Sequence, residues 1–300
     1  MRLSVYFRLF VLSVLWLAIF QPVALAHAHV DAPQEDALED FIDQQMMAVL
    51  ENHHVPSGVV AVVQGDQIVL AKGYGFADLE AQRPMCPETT LVRIASITKL
   101  FTWTAVMQLV EQGRLDLHAD IQSYLDFDIP QVYAEPIRLW HLLSHTAGFA
   151  DYGILTGALD APQEPLRETL VQRLPARVYP PGQVIAYSNY GAGLAGYIVE
   201  RVSGMTWEEY VETHILAPLM MAHTTPREPL PLALQPALAA SYTYKDGRQK
   251  PFPFLFNHTP PDGSISASAL DMAHFMIAHL QGGLYGEARI LREDTVRQMH

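Results

Sequence analysis

Two hydrophobic periodicities alternate along the chain. Between residues 35 and 51, Leu38, Phe41, Ile42, Met46, Val49 and Leu50 recur at three- and four-residue spacing, with Glu35, Asp36, Asp40, Asp43 and Glu51 between them. That pattern predicts an amphipathic helix packed on a sheet. Two β-rich runs follow, 59–64 and 67–74, and Gly65-Asp66 between them predicts a tight antiparallel hairpin. Residues 96–112 then show little amphipathicity: Lys99 and Glu111 are the charged members, and Gly113 is the stop signal. A helix that is apolar nearly all round is a buried one, so this segment is predicted as the central helix.

Shorter helical or loop segments rich in Pro and Gly extend to residue 182. A helix is predicted over 190–202, closed by Gly204, and Thr206 with Glu209 forms a capping box for the next one. Residues 226–263 are proline-rich with little periodicity and read as long surface loops. Ser268 with Asp271 opens a last helix running to residue 280, closed by Gly282-Gly283. Repeats and low-complexity tracts are absent from residues 35–300, so one compact unit with a helical insertion is expected.

Half of the residues are hydrophobic and 17% are charged, the balance of a chain with a sizeable core rather than a disordered one. The N-terminus adds a compartment: Arg2 and Arg8, an apolar run over 9–20, and Ala24-Leu25-Ala26 have the layout of an export signal cleaved after residue 26. Twelve apolar residues are too few to span a bilayer, which takes about 20. An exported, periplasmic or extracellular domain over 27–300 is therefore expected. The formal charge of −13 would repel phosphate backbones, which argues against nucleic acid as a partner. Cys86 is the single cysteine, leaving neither a disulfide framework nor a thiolate metal site.

Candidate chemistry begins at Ser96-Ile97-Thr98-Lys99. Positions i and i+3 share a helix face, so the hydroxyl and the amine can touch. Burial and the positive end of the helix dipole both favour the uncharged amine at position 99, a general base for the serine. The bland alternative is a snorkelling lysine beside a helix-capping serine. Tyr187-Ser188-Asn189 follows 91 residues after Ser96, between Pro180-Pro181-Gly182 and a helix, where a loop can present a phenol and a carboxamide to a cleft. Its bland alternative is a polar turn entering that helix. His141 and His145 stand at i, i+4, but Leu142 occupies the place of a metalloprotease glutamate, so they read as structural. Gly-x-Ser-x-Gly, a Walker loop and a dinucleotide fingerprint are all absent. Met220-Met221 and Phe252, Phe254 and Phe256 read as core filling in preference to a cleft lining.

The Ser96/Lys99 motif, His141-Leu-Leu-Ser-His-Thr-Ala-Gly148 and Tyr187-Ser-Asn-Tyr-Gly, in that order, resemble the serine β-lactamase and penicillin-binding protein superfamily, above all class C β-lactamases and related esterases and peptidases. The resemblance runs from about residue 38 to the end. It implies an α+β fold, an antiparallel sheet flanked by helices with an inserted helical subdomain, and a site between them. It makes Ser96 the acylated nucleophile, Lys99 its partner base, Tyr187 the second base and acid, Asn189 a substrate-side amide, and the Ser96 N–H an oxyanion donor. The substrate would be a small molecule or peptide, with no metal and no cofactor. The family's third motif, Lys-Thr-Gly or a His-x-Gly variant, has no convincing copy. His258-Thr259-Pro260 comes nearest, with proline where glycine would admit a substrate to the backbone. The expectation is a chain truncated before its last strands, with any membrane attachment lying beyond residue 300. A β-lactam, a D-amino-acid peptide and an ester all stay open as substrates, as does a ligand-sensing domain that binds without turnover.

Overall fold

A computed structural model of the chain describes residues 35–151, 156–157 and 164–300. The export signal read over 1–26 lies outside the described residues. Two compact units divide the chain, Met1–Leu38 and Glu39–His300. Residues 35–38 open the first helix, and the candidate site with its whole framework lies in the second unit.

Helix α1 (Glu35–Asn52) precedes strands β1 (Ser57–Gln64) and β2 (Gln67–Asp78), which pair antiparallel around Gly65, the turn glycine at φ +63°. A short β3 (Arg83–Pro84) adds to the far edge of β2. From α1, Asp43 accepts hydrogen bonds from Lys72 (2.8 Å) and Tyr74 (2.6 Å) on β2, while the Met46 methyl crowds the open face of Gly58 on β1. The next strand, β4 (Val92–Arg93), leads into the central helix α2 (Thr98–Glu111) through a 3₁₀ turn over Ala95–Ile97.

The middle of the chain is helical. It contains α3 (Leu139–Leu143), a short β5 (Thr156–Gly157), α4 (Leu166–Gln172), α5 (Asn189–Ser203) and α6 (Trp207–Val211). The capping box at Thr206/Glu209 forms in both directions, and Gly204 ends α5 at φ +79°. Beyond β6 (Thr224–Thr225), a hairpin of β7 (Ser241–Lys245) and β8 (Arg248–Phe252) stands within the stretch expected to be loops. Its turn is Asp246-Gly247, with φ +55° and +75°, a two-residue turn that matches strand twist. After β9 (Phe256–Asn257) and β10 (Ser266–Ala267) comes α7 (Ala269–Leu280), capped by the Ser268 hydroxyl. The hairpin of β11 (Leu284–Tyr285) and β12 (Ala288–Arg289) and then α8 (Glu293–Met299) complete the described chain. The architecture is mixed helix and antiparallel sheet, as the motifs implied.

Helix α7 packs on β1 and β2, and α2 packs on α5. Phe101 of α2 stacks on Phe275 of α7 at 4.1 Å, tying the two layers together. Around them Leu109, Leu194, Ile198, Trp207 and Ile215 are fully buried, each contributing about 1.5–3 kcal/mol on leaving water. Inside α2, Thr102 donates to the Pro261 carbonyl, and the Gln108 amide nitrogen donates to the His214 and Ile290 carbonyls. The expectation of burial all round needs one correction. Ile97 and Leu100 are about half exposed, and they line an apolar groove with Trp103, Trp140 and Met276.

Gly196 on α5 shows how closely the framework approaches the site. A Cβ there would lie 2.2 Å from Cγ of Pro261, a rigid ring on the 3₁₀ turn Pro260–Asp262. Helix propensity favours Gly→Ala by roughly 0.5–1 kcal/mol, whereas overpacking costs about 1–3 kcal/mol. Packing wins, so Gly196→Ala should destabilise the protein, read as a lower urea midpoint at unchanged m-value. An unchanged or raised midpoint would show that the turn yields freely.

Candidate active site

Each member of the site is placed by a local device. Ser96 lies in the 3₁₀ turn ahead of α2 and is exposed, while Lys99, one turn on, is 3% exposed. Ala95, just before the serine, sits in the left-handed region at φ +45°. For a residue with a Cβ that conformation costs on the order of 1–2 kcal/mol. The surrounding bonds hold it there: Ile94 N–H donates to the Ile265 carbonyl (3.0 Å), and Thr98 Oγ1 accepts from Ile265 N–H (3.2 Å). Tyr187 and Asn189 flank Ser188, whose hydroxyl caps α5 by accepting from Gly191 N–H (3.0 Å). The cap fixes where the chain enters the helix, and so where the phenol and carboxamide point.

The structure brings all four sequence-derived residues together. Tyr187 OH donates to Ser96 Oγ at 2.8 Å. Lys99 Nζ lies 3.2 Å from Ser96 Oγ, 2.8 Å from Asn189 Oδ1 and 2.8 Å from the Asp262 carbonyl oxygen, and 4.9 Å from the centre of the Tyr187 ring. All three acceptors are neutral, and among the described residues no carboxylate accepts a hydrogen bond from the amine.

Two further groups stand at the site that the sequence did not assign to it. One is the Asp262 carbonyl, a backbone atom with no side-chain signature. Its turn is anchored from behind: the Asp262 carboxylate accepts from Asn257 Nδ2 (2.6 Å) and from the Thr259 hydroxyl, and Asn257 N–H donates to Glu228 Oε2 (2.6 Å). Glu228 in turn pairs with Arg93. Burial pushes the Asp262 carboxyl up, and it pushes Glu228 up to about 7 against the opposing pull of Arg93. The second group is His145, whose ring packs 4.4 Å from the Tyr187 ring and whose Nδ1 accepts from Ser188 N–H (3.3 Å). Burial first and the nearby Lys99 second hold its imidazole below the ordinary value.

His141 and His145 do not share a helix face. His141 belongs to α3 and its Nδ1 accepts from Arg138 N–H (2.9 Å), whereas His145 follows the helix with φ +56°. Both imidazoles serve the backbone. The aromatic run needs a correction: Phe252 and Phe254 line a cavity of about 240 Å³ beside Ser96, with Leu255, Asn257 and Gly263, instead of filling the core. The β7–β8 hairpin carries them there, so Phe252 stays 44% exposed. Met221 is buried, and Met220 is exposed.

Comparison with known proteins identifies the family and the fold. The family profile described as Beta-lactamase matches residues 38–300. Protein flp of Staphylococcus aureus (strain MW2) is 29% identical over 179 residues, 59% of this chain and 36% of that protein. Putative penicillin-binding protein PbpX of Bacillus subtilis (strain 168) is 29% identical over 238 residues, 77% of this chain and 56% of that protein. The chain thus spans between about a third and a little over half of the length of these relatives. Among solved structures, the octameric penicillin-binding protein homologue from Pyrococcus abyssi superposes with a TM-score of 0.73 at 30% identity, covering 87% of this chain and 59% of that one.

His141 provides a pH test of helix α3. Burial, with Arg138 and Arg177 nearby, lowers it to about 4 from an unfolded value near 6.5. Between those values the unfolded chain binds the extra proton and the folded one does not, so this contribution is whole above about pH 6.5 and fades toward pH 4. Glu200 and Glu228, both raised to about 7 by burial, act in the opposite sense. The difference between variants is therefore the diagnostic quantity. His141→Asn, which keeps an acceptor for Arg138 N–H, should lose less stability than wild type between pH 6.5 and 4, measured by denaturant midpoints. Parallel profiles would mean that His141 already titrates normally.

Proposed function

The chain belongs to the beta-lactamase family, and from that premise we propose that it is an exported serine hydrolase in which Ser96 takes the acyl group of a small-molecule or peptide substrate and water then removes it. The observation that carries this reading is the triangle of Ser96, Lys99 and Tyr187, with Ser96 Oγ in reach of both the amine and the phenol.

Two N–H bonds of Lys99 point at Asn189 Oδ1 and the Asp262 carbonyl. The third tetrahedral position faces Ser96 Oγ, and in the amine form it holds the lone pair that accepts the hydroxyl proton. As that proton leaves, Oγ attacks the substrate carbonyl and a tetrahedral oxyanion develops. The first N–H groups of a helical turn have no intrahelical acceptor, which suits the Ser96 N–H to stabilise that charge. Tyr187 OH, 2.8 Å from Oγ and partly exposed, is placed to pass a proton to the departing group as the bond to it breaks. In the second half a water replaces that group, gives its proton back along the same path, and releases the acid with Ser96 restored. Asn189 fixes Lys99 from the α5 side and presents its amide next to the cavity. Esters, β-lactams and D-amino-acid peptides all undergo this acyl transfer. The export reading rests on the pattern of Arg2, Arg8, residues 9–20 and Ala24-Leu25-Ala26.

A fluorophosphonate probe and a fluorescent penicillin should label the protein at Ser96 and leave Ser96→Ala unlabelled. Tyr187→Phe and Lys99→Met should each slow acylation about 10²-fold or more. A lasting adduct without turnover would make the domain a sensor, and labelling that survives Ser96→Ala would remove Ser96 as nucleophile.

A further inference from the structure

The cavity beside Ser96 has a chemical character of its own. Phe252, Pro253, Phe254 and Leu255 form one wall, at the end of β8 and on the segment that leaves it. Two charged side chains reach the lining, and each already has partners. Arg93 pairs with Glu228, donates to the Leu255 carbonyl, and stacks 4.5 Å from the Phe254 ring centre. The Asp262 carboxylate is buried and accepts from Asn257 and Thr259. A ligand carboxylate or ammonium entering here would lose its water to an apolar wall and find its counter-charges engaged.

The wall is also held in shape. Phe254 is held by the Arg93 guanidinium over its ring and by a T-shaped contact with Phe256, whose ring centre is 5.6 Å away at 71°. A surface fixed before the ligand arrives avoids the cost of ordering it on binding. A dry cavity of about 150 Å³ admits benzene, so about 240 Å³ next to the nucleophile is room for a ring or a chain of several methylenes.

We infer that this cavity is the acyl subsite and that it selects uncharged, apolar acyl groups, aromatic or of about four to six carbons, through Phe252, Phe254 and Leu255. The inference rests on the assignment of Ser96 as nucleophile. It narrows the substrate class from any acyl donor to one whose acyl half is greasy and lacks charge. In the reaction the bond from Ser96 Oγ to that acyl carbon forms while the bond to the leaving group breaks, so the acyl group remains in the cavity until water releases it.

The test is a series of p-nitrophenyl esters given to the whole protein: acetate, butyrate, hexanoate, and the mono-ester of adipic acid, which carries a carboxylate at the chain end. Nitrophenolate release and the intact mass of the Ser96 adduct are followed, with Ser96→Ala as background. Each buried methylene is worth up to about fourfold. Hexanoyl should therefore acylate at least tenfold faster than acetyl, and adipoyl at least tenfold slower than hexanoyl. Phe254→Ala, and the milder Phe254→Leu in case alanine unfolds the segment, should lower the hexanoyl-to-acetyl ratio severalfold. A flat series, adipoyl equal to hexanoyl, or a ratio unmoved by a folded Phe254 variant overturns the subsite while Ser96 adducts still form. Folded protein giving no Ser96-dependent adduct with any ester overturns the nucleophile assignment and the subsite with it.

Discussion

A lysine nitrogen that is nearly out of water must find an acceptor for each bond it offers, and at Lys99 those acceptors come from its own turn and from two distant stretches of chain. Ser96 is three residues away, Asn189 ninety, and the Asp262 carbonyl 163. An unmet bond at a buried amine costs several kcal/mol, so the amine acts as a fastener as well as a reagent. Helix α2, the start of α5 and the Pro260–Asp262 turn must all be in register before it is satisfied. The Gly196–Pro261 contact and the Thr102 bond to the Pro261 carbonyl hold that turn from two other directions.

Behind the turn, charge is handled by the same rule. Arg93, Glu228, Asn257 and Asp262 form a relay of hydrogen bonds running from β4 to the turn, with the Glu228 side chain fully buried. A buried carboxylate is tolerated when its oxygens are occupied, and both oxygens of Glu228 are. The relay serves two surfaces at once. Its inner end aims the Asp262 carbonyl at Lys99, and its outer end, the Arg93 guanidinium, backs the Phe254 ring in the cavity wall. Changes at Arg93 or Glu228 would thus reach both the base and the wall.

How much of this could be read from residue order depends on the range of the interaction. The Ser96–Lys99 pair was legible because three-residue spacing on a helix is local geometry, and Tyr187 and Asn189 because a loop entering a helix advertises itself with proline, glycine and a capping serine. The helices followed for the same reason, from caps and stops such as Ser268 and Gly204. The Asp262 carbonyl could not be read, since a main-chain oxygen carries no residue code and its partner lies 163 positions away. The β7–β8 hairpin was hidden by its flanking prolines and by a mostly polar, exposed strand pair. The signal that would have found it is Asp246-Gly247, a dipeptide strongly inclined to two-residue turns.

That hairpin explains why a run of phenylalanines reads as core in sequence and stands at a cleft in space. Hydrophobicity alone says that Phe252, Phe254 and Phe256 should leave water, and a core is the usual way to do so. Pro251 and Pro253 restrict the backbone around Phe252 and favour an extended path, and the Arg93–Glu228 pair gives the wall a rigid backing that is not apolar. Phe254 is consequently covered on one side by a guanidinium and open on the other to a cavity that ends at Ser96. An apolar face kept open beside an exposed hydroxyl pays a solvation penalty in the resting protein, and an apolar acyl group entering the cavity relieves it by covering the ring. Buried amine and half-open wall thus meet at one oxygen atom, the first holding the nucleophile in place and the second shaping what it can attack.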